Sequence, residues 1–164
     1  MLSSADRFRQ EDPLLTAVAD AWRSRGFVVI ACGGNQGRYW VNLRGRRKAP
    51  DLVAVTPSGD LLIVEAKVAG SALFRSGLTP SDAYSLRELV ADQKATSGAL
   101  ALANEWLTRL GLAQRAHTVV PILLSASPVP PQLLAETPDL VILQKSALAA
   151  PLEVVSPGSY SERF

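Results

Sequence analysis

The chain has 164 residues, 48% of them hydrophobic and 20% charged, which suits one ordinary domain spanning 1–164 and excludes a disordered tail, a fibrous repeat or a coiled coil. A formal net charge of +2, from 17 Lys+Arg against 15 Asp+Glu, does not by itself indicate a nucleic-acid partner. The total hides a division: nine basic and four acidic residues stand at or before Lys48, and eight and eleven after it.

In chain order, Ser4 to Arg25 carries Phe8, Leu14, Leu15, Val18, Ala19 and Trp22 at helical spacing, with Gly26 as the stop. Pro13 fits best in a first turn, which puts the start of the continuous helix near Asp12. Phe27 to Cys32 is a short Val/Ile-rich strand, Gly33, Gly34, Asn35 and Gly37 form a loop, and Arg38 to Leu43 is a further short strand. Leu52 to Val55 and Leu61 to Val64 are strands joined by Thr56-Pro57-Ser58-Gly59-Asp60, the composition of a tight hairpin. The second is apolar at every position, so both of its faces are covered and it is central to its sheet. After a Gly/Ser/Thr/Pro-containing connection from Gly70 to Ser81, Asp82 to Leu110 reads as a long helix that Gly98 is placed to break. His117 to Leu124 and Leu140 to Leu143 are buried strands, Pro128 to Pro131 is a rigid turn with room for a short helix after it, and the last dozen residues have no pattern. Together these elements make an α/β fold with a mixed central β-sheet flanked by helices.

Chemistry is concentrated after the central strand. Glu65-Ala66-Lys67 follows it without a turn residue, and the two charged side chains leave the same face. A hairpin centred on Ser58 sets Asp51 across from Glu65. Two carboxylates and an ammonium thus converge at one end of a sheet, where charge is costly unless paired or metal-bound. Adjacent carboxylates are hard oxygen ligands suited to Mg²⁺. Only four of the 17 basic residues are Lys, so Lys67 is not the default cation of this chain, and a lysine can relay a proton where arginine cannot.

Pro50-Asp51 followed, on the next strand, by Glu65-Ala66-Lys67 resembles the PD-(D/E)xK superfamily of restriction-endonuclease-like nucleases. Arg25-Gly26-Phe27-Val28-Val29, a Gly-rich loop and the Pro-Asp strand look most like its Holliday-junction-resolvase members. The resemblance runs from the first helix to about Leu124. It implies a restriction-endonuclease-like core of α-β-β-β-α-β order and a divalent-metal-dependent endonuclease hydrolysing phosphodiester bonds in DNA. Asp51 and Glu65 would bind Mg²⁺, with Mn²⁺ substituting, and Lys67 would position or activate the attacking water. Glu11 is the candidate for a metal-binding glutamate that such relatives often carry in the first helix, although it stands about a turn further from Gly26-Phe27 than the resolvases place it. Gln93 and Lys94 are the candidates for an accessory Gln or Lys on the helix after the Glu-x-Lys strand.

Arg38, Arg44, Arg46, Arg47 and Lys48 place five cations in eleven residues with no acidic residue among them, a surface for a phosphate backbone. Tyr39 and Trp40 within this run either stack on an exposed base or pack on the core. His117, the only histidine, is structural or exposed, and Cys32 is a buried small residue. The helix faces carrying Trp22 and Trp106 are core or the interface of a homodimer. With no apolar leader core in Met1–Gln10 and no apolar run of membrane-spanning length, the expected setting is cytoplasmic and away from membranes. The alternative function is a catalytically weak or inactive nuclease-fold module that binds nucleic acid or assembles with a partner protein.

Overall fold

The computed structural model describes residues 4–33, 39–43, 45–67, 81–126, 128–129, 131–136, 138, 140–146 and 150–155, with backbone alone at 4–12, 81–85, 132–133 and 136. A mixed six-stranded sheet carries helices on both faces. Its elements in chain order are α1 (Ser4–Ser24), β1 (Val28–Cys32), β2 (Val41–Leu43), β3 (Arg46–Lys48), β4 (Leu52–Val55), β5 (Asp60–Lys67), α2 (Ser81–Ala91), α3 (Gln93–Arg109), β6 (Thr118–Ser125), α4 (Pro131–Glu136), β7 (Val141–Gln144) and β8 (Glu153–Val154). The sheet order is β1-β4-β5-β6-β7-β8, and β2 and β3 form a separate two-stranded hairpin.

Helix α1 runs through Pro13 and does not start near Asp12. Its buried stripe of Leu14, Leu15, Val18, Ala19 and Trp22 begins immediately after the proline, so the turns lacking the Pro13 N–H are not the ones packed on the sheet by this stripe. The stop is as expected: Gly26 takes φ +82°, and the Phe27 and Gly26 N–H groups donate back to the Trp22 and Arg23 carbonyls at 3.0 Å.

The β4–β5 pairing runs from Leu52 opposite Val64 to Val55 opposite Leu61, the register centred on Ser58. Gly59 at φ +92° and the Asp60 N–H donating to Thr56 Oγ1 at 3.0 Å close the turn. β5 is central as its apolar run requires, antiparallel to β4 and parallel to β6. Its alternation divides the core. Leu62, Val64 and Ala66 face α1, while Leu61 and Ile63 join the cluster beneath α2 and α3.

The long helix breaks at Asp92 and not at Gly98. Asp92 has extended backbone, and its Oδ1 accepts from the N–H groups of Lys94 and Ala95 at 3.0 and 3.2 Å, capping α3. Gly98 continues inside α3, where a glycine weakens a helix without terminating it. Of the strand expected over Arg38 to Leu43, Arg38 lies outside the described residues and Val41–Leu43 forms β2; with Gly45 at φ +77°, Arg46–Lys48 returns beside it as β3. Strand β8 was not visible as a pattern. Among the described residues no helix is long and apolar enough to cross a membrane.

Candidate functional site

Asp51 stands where three strands meet. Its N–H donates to the Val64 carbonyl of β5 at 3.0 Å and its carbonyl accepts from Gly33, just past β1, at 2.8 Å. Its side-chain Oδ2 accepts from the Ala66 N–H at 2.7 Å. A carboxylate accepting a backbone N–H is a short, charge-assisted bond that fixes the side chain at the end of β5. This placement follows from the hairpin register, in which β4 starts one residue after Asp51 and β5 runs on past it.

Glu65 lies inside β5, 6% exposed, on the face shared with Ile63. Lys48 of β3 faces it, with its Nζ 3.6 Å from Glu65 Oε1. That is an ion-pair distance longer than a direct hydrogen bond. Between the β2–β3 hairpin and α2 the space against this pair is small, ≈ 10 Å³, walled by Val41, Leu43, Pro50, Leu86 and Leu89. Such a low-dielectric wall strengthens the attraction and raises the cost of losing either partner. Lys67 ends β5, partly buried, in register with Ser125 of β6, and its carbonyl accepts from the Ala126 N–H at 2.9 Å. The structure thus brings Asp51, Glu65 and Lys67 to one end of the sheet.

Lys48, grouped with its neighbours as a phosphate-contacting cation, has its ammonium toward Glu65, because strand alternation sends Arg47 and Lys48 to opposite faces of β3. Arg46 and Arg47 are exposed, as a phosphate-contacting role needs. Arg38 and Arg44, and the Glu11 side chain, lie outside the described residues. Gln93 and Lys94 are exposed at the start of α3, and the cleft against Glu65 is walled by Leu86 and Leu89 of α2 instead. His117 is exposed, its N–H donating to the Gly59 carbonyl at 2.8 Å, a structural placement. Cys32 is partly buried and not fully enclosed.

Tyr39 and Trp40 separate cleanly. Tyr39 is 2% exposed and donates from its phenol to the Ala99 carbonyl of α3 at 2.7 Å, pinning the hairpin to the helix. Burial pushes its ionisation well above the ordinary phenol range. Trp40 is partly exposed, and the Arg47 guanidinium lies over its ring, 4.9 Å from the centroid.

Ser125, fully buried one strand from Lys67, is a polar residue that sequence reasoning missed. Its signal was available as the one hydroxyl closing an otherwise apolar strand, Val119 to Leu124. The pairing of Lys48 with Glu65 was signalled only by the Gly45 turn, which lets β3 return beside Val41.

Among the described residues no group of three or more His, Cys, Asp or Glu side chains comes together. The described donors at this site are the two carboxylates, all oxygen, at Asp51 beside β4 and at Glu65 in the neighbouring strand β5. That chemistry fits a hard divalent cation that keeps several waters. Compared with known proteins, the chain matches no family model, no curated protein and no solved structure.

Proposed function

We propose that the chain is a divalent-metal-dependent endonuclease that hydrolyses phosphodiester bonds in DNA, built on the restriction-endonuclease-like core of the PD-(D/E)xK superfamily. The observation carrying this reading is Asp51, held by the Ala66 N–H at 2.7 Å on the strand adjacent to buried Glu65, with Lys67 two residues on. The order of elements supports it: α1, β1, β4, β5, the α2–α3 pair and β6 follow one another as helix, three strands, helix and strand, with the β2–β3 hairpin inserted after β1.

Asp51 and Glu65 are the residues that would hold Mg²⁺ or Mn²⁺, which when bound offsets negative charge on the phosphate undergoing attack. Asp51 is oriented in advance by its backbone partner, so little reorganisation is needed at the carboxylate. Lys67 positions the attacking water or takes part in its deprotonation. Arg46 and Arg47 supply sequence-independent attraction for the phosphate backbone.

Cleavage of plasmid, branched and single-stranded DNA in Mg²⁺ or Mn²⁺ tests this. Asp51→Ala and Lys67→Ala are expected to abolish cleavage while circular dichroism shows a folded chain, and undiminished cleavage in both variants refutes the assignment. The Lys48 ammonium, 3.6 Å from Glu65 Oε1, already offsets one of the two carboxylates and favours a second reading, a nuclease-fold module that binds nucleic acid or assembles with a partner protein without cutting. Isothermal titration with Mg²⁺ and Mn²⁺ separates the two, since a chain with no metal affinity even beside DNA is a binding module.

A further inference from the structure

The far side of the β2–β3 hairpin borders a groove of ≈ 660 Å³ against α3. Trp40 and Asn42 line it from the hairpin, and Lys94, Gly98 and Leu102, a single stripe at helical spacing, line it from α3. Arg47, opposite Asn42 in the hairpin register, stacks its guanidinium on the Trp40 ring. This site is separate from the cleft against Glu65, yet the same hairpin borders both. Tyr39, bonded to Ala99, holds the two walls at a set distance.

We infer that this groove receives an unpaired base of a DNA strand, stacked on the Trp40–Arg47 platform, with the adjoining phosphates held by Arg47 and Lys94. The inference rests on the nucleic-acid reading above and narrows it to substrates with a single-stranded segment. Four features favour this occupant. An indole and a guanidinium plane both present flat surfaces on which any base stacks. The Asn42 side chain is exposed and carries both a donor and an acceptor for a base edge. At Gly98 an added Cβ would meet nothing within 4 Å, so that wall is open to close approach by a planar group. The Asp92 carboxylate at the rim is engaged by the N–H groups of Lys94 and Ala95, so it is held back by the helix cap. A duplex keeps its base faces within its own stack and cannot offer one to such a platform.

The test is fluorescence anisotropy on the full chain with metal chelated, so that binding is read without cutting. The probes are a labelled single strand, a blunt duplex of the same sequence and that duplex with a single-stranded extension. The single strand and the extended duplex are expected to bind more tightly than the blunt duplex. Trp40→Ala should weaken single-strand binding about 10-fold or more, with Trp40→Phe retaining most of it. Gly98→Leu provides an arm that removes no packed side chain: it fills the groove from the helix and should give the same loss, with blunt-duplex affinity unchanged. Equal single-strand affinity in wild type and both blocking variants overturns the inference, as does displacement of the strand by deoxyadenosine monophosphate at an affinity matching the strand's own. Groove-dependent binding in a chain whose cleavage does not depend on Asp51 supports the inference and refutes the nuclease mechanism, whereas Asp51-dependent cleavage with groove-independent binding does the reverse.

Discussion

Replacing Lys48 by methionine keeps the stem that lies along the apolar cleft and removes the ammonium 3.6 Å from Glu65. At that separation the attraction is about 4.6 kcal/mol for an effective dielectric of 20 and about 1.2 kcal/mol for water. The Glu65 side chain is 8% exposed and that of Lys48 27%, so the pair belongs between these limits, and solvent at the lysine end trims the larger figure. Desolvation already opposes the pair, which brings its expected net coupling to about 2 kcal/mol. Lys48→Met should therefore lower the unfolding free energy by about 2 kcal/mol, equivalent to roughly 4–8 °C in Tm for a chain of this size. Glu65→Gln alone also loses the pair, but the double variant Lys48→Met/Glu65→Gln leaves no buried charge behind and should recover most of the loss. Urea unfolding of the four proteins completes the cycle. A coupling below about 0.5 kcal/mol would show that Lys48 is a solvated cation after all, and would return it to the phosphate-contacting surface.

If Asp51 and Glu65 hold a divalent cation, Mg²⁺ at ten times its dissociation constant stabilises the fold by about 1.4 kcal/mol, visible as a rise in Tm that Asp51→Asn/Glu65→Gln abolishes. The raised Tyr39 ionisation means that the phenol stays protonated in the folded chain while the unfolded chain ionises near pH 10, so its stabilisation is complete below about pH 10 and lost as the pH rises beyond it. Tyr39→Phe should cost about 1 kcal/mol at pH 7, from the bond to Ala99, and should flatten the loss of stability between pH 10 and 11 in urea melts. Asp92→Ala removes the cap of α3 and should cost about 1 kcal/mol by thermal unfolding, while Asp92→Asn, which can still accept the Lys94 and Ala95 N–H groups, should cost less. Arg47→Met should reduce the slope of log affinity for DNA against log salt by about 0.9, whereas Lys48→Met should leave that slope unchanged.

The elements that sequence reasoning placed well are those whose signal is local. The hairpin about Ser58 follows from Thr56-Pro57-Ser58-Gly59-Asp60, and once its register is set, Asp51 must fall beside the end of β5. Centrality of β5 follows from four apolar residues in a row, a pattern that only a strand covered on both faces sustains. The break at Asp92 was also legible in principle, since an aspartate followed at two and three residues by N–H groups needing acceptors is a stronger interruption than a glycine. Lys48 was less so. Its partner is seventeen positions away, and the pairing depends on where the β2–β3 hairpin lies over α2, a tertiary matter that periodicity in one strand does not encode.

The hairpin also changes what the charge division means. Arg46, Arg47 and Lys48 are consecutive cations, yet alternation sets Arg47 over the Trp40 ring and turns Lys48 to a buried carboxylate. Their neutralising roles are consequently independent: a phosphate meeting Arg47 does not have to pull Lys48 away from Glu65. A cation entering between Asp51 and Glu65, by contrast, competes directly with the Lys48 ammonium for the same carboxylate. The near-neutral total of +2 therefore does not report the balance at the hairpin, where Lys48 faces a buried carboxylate while Arg46 and Arg47 remain exposed.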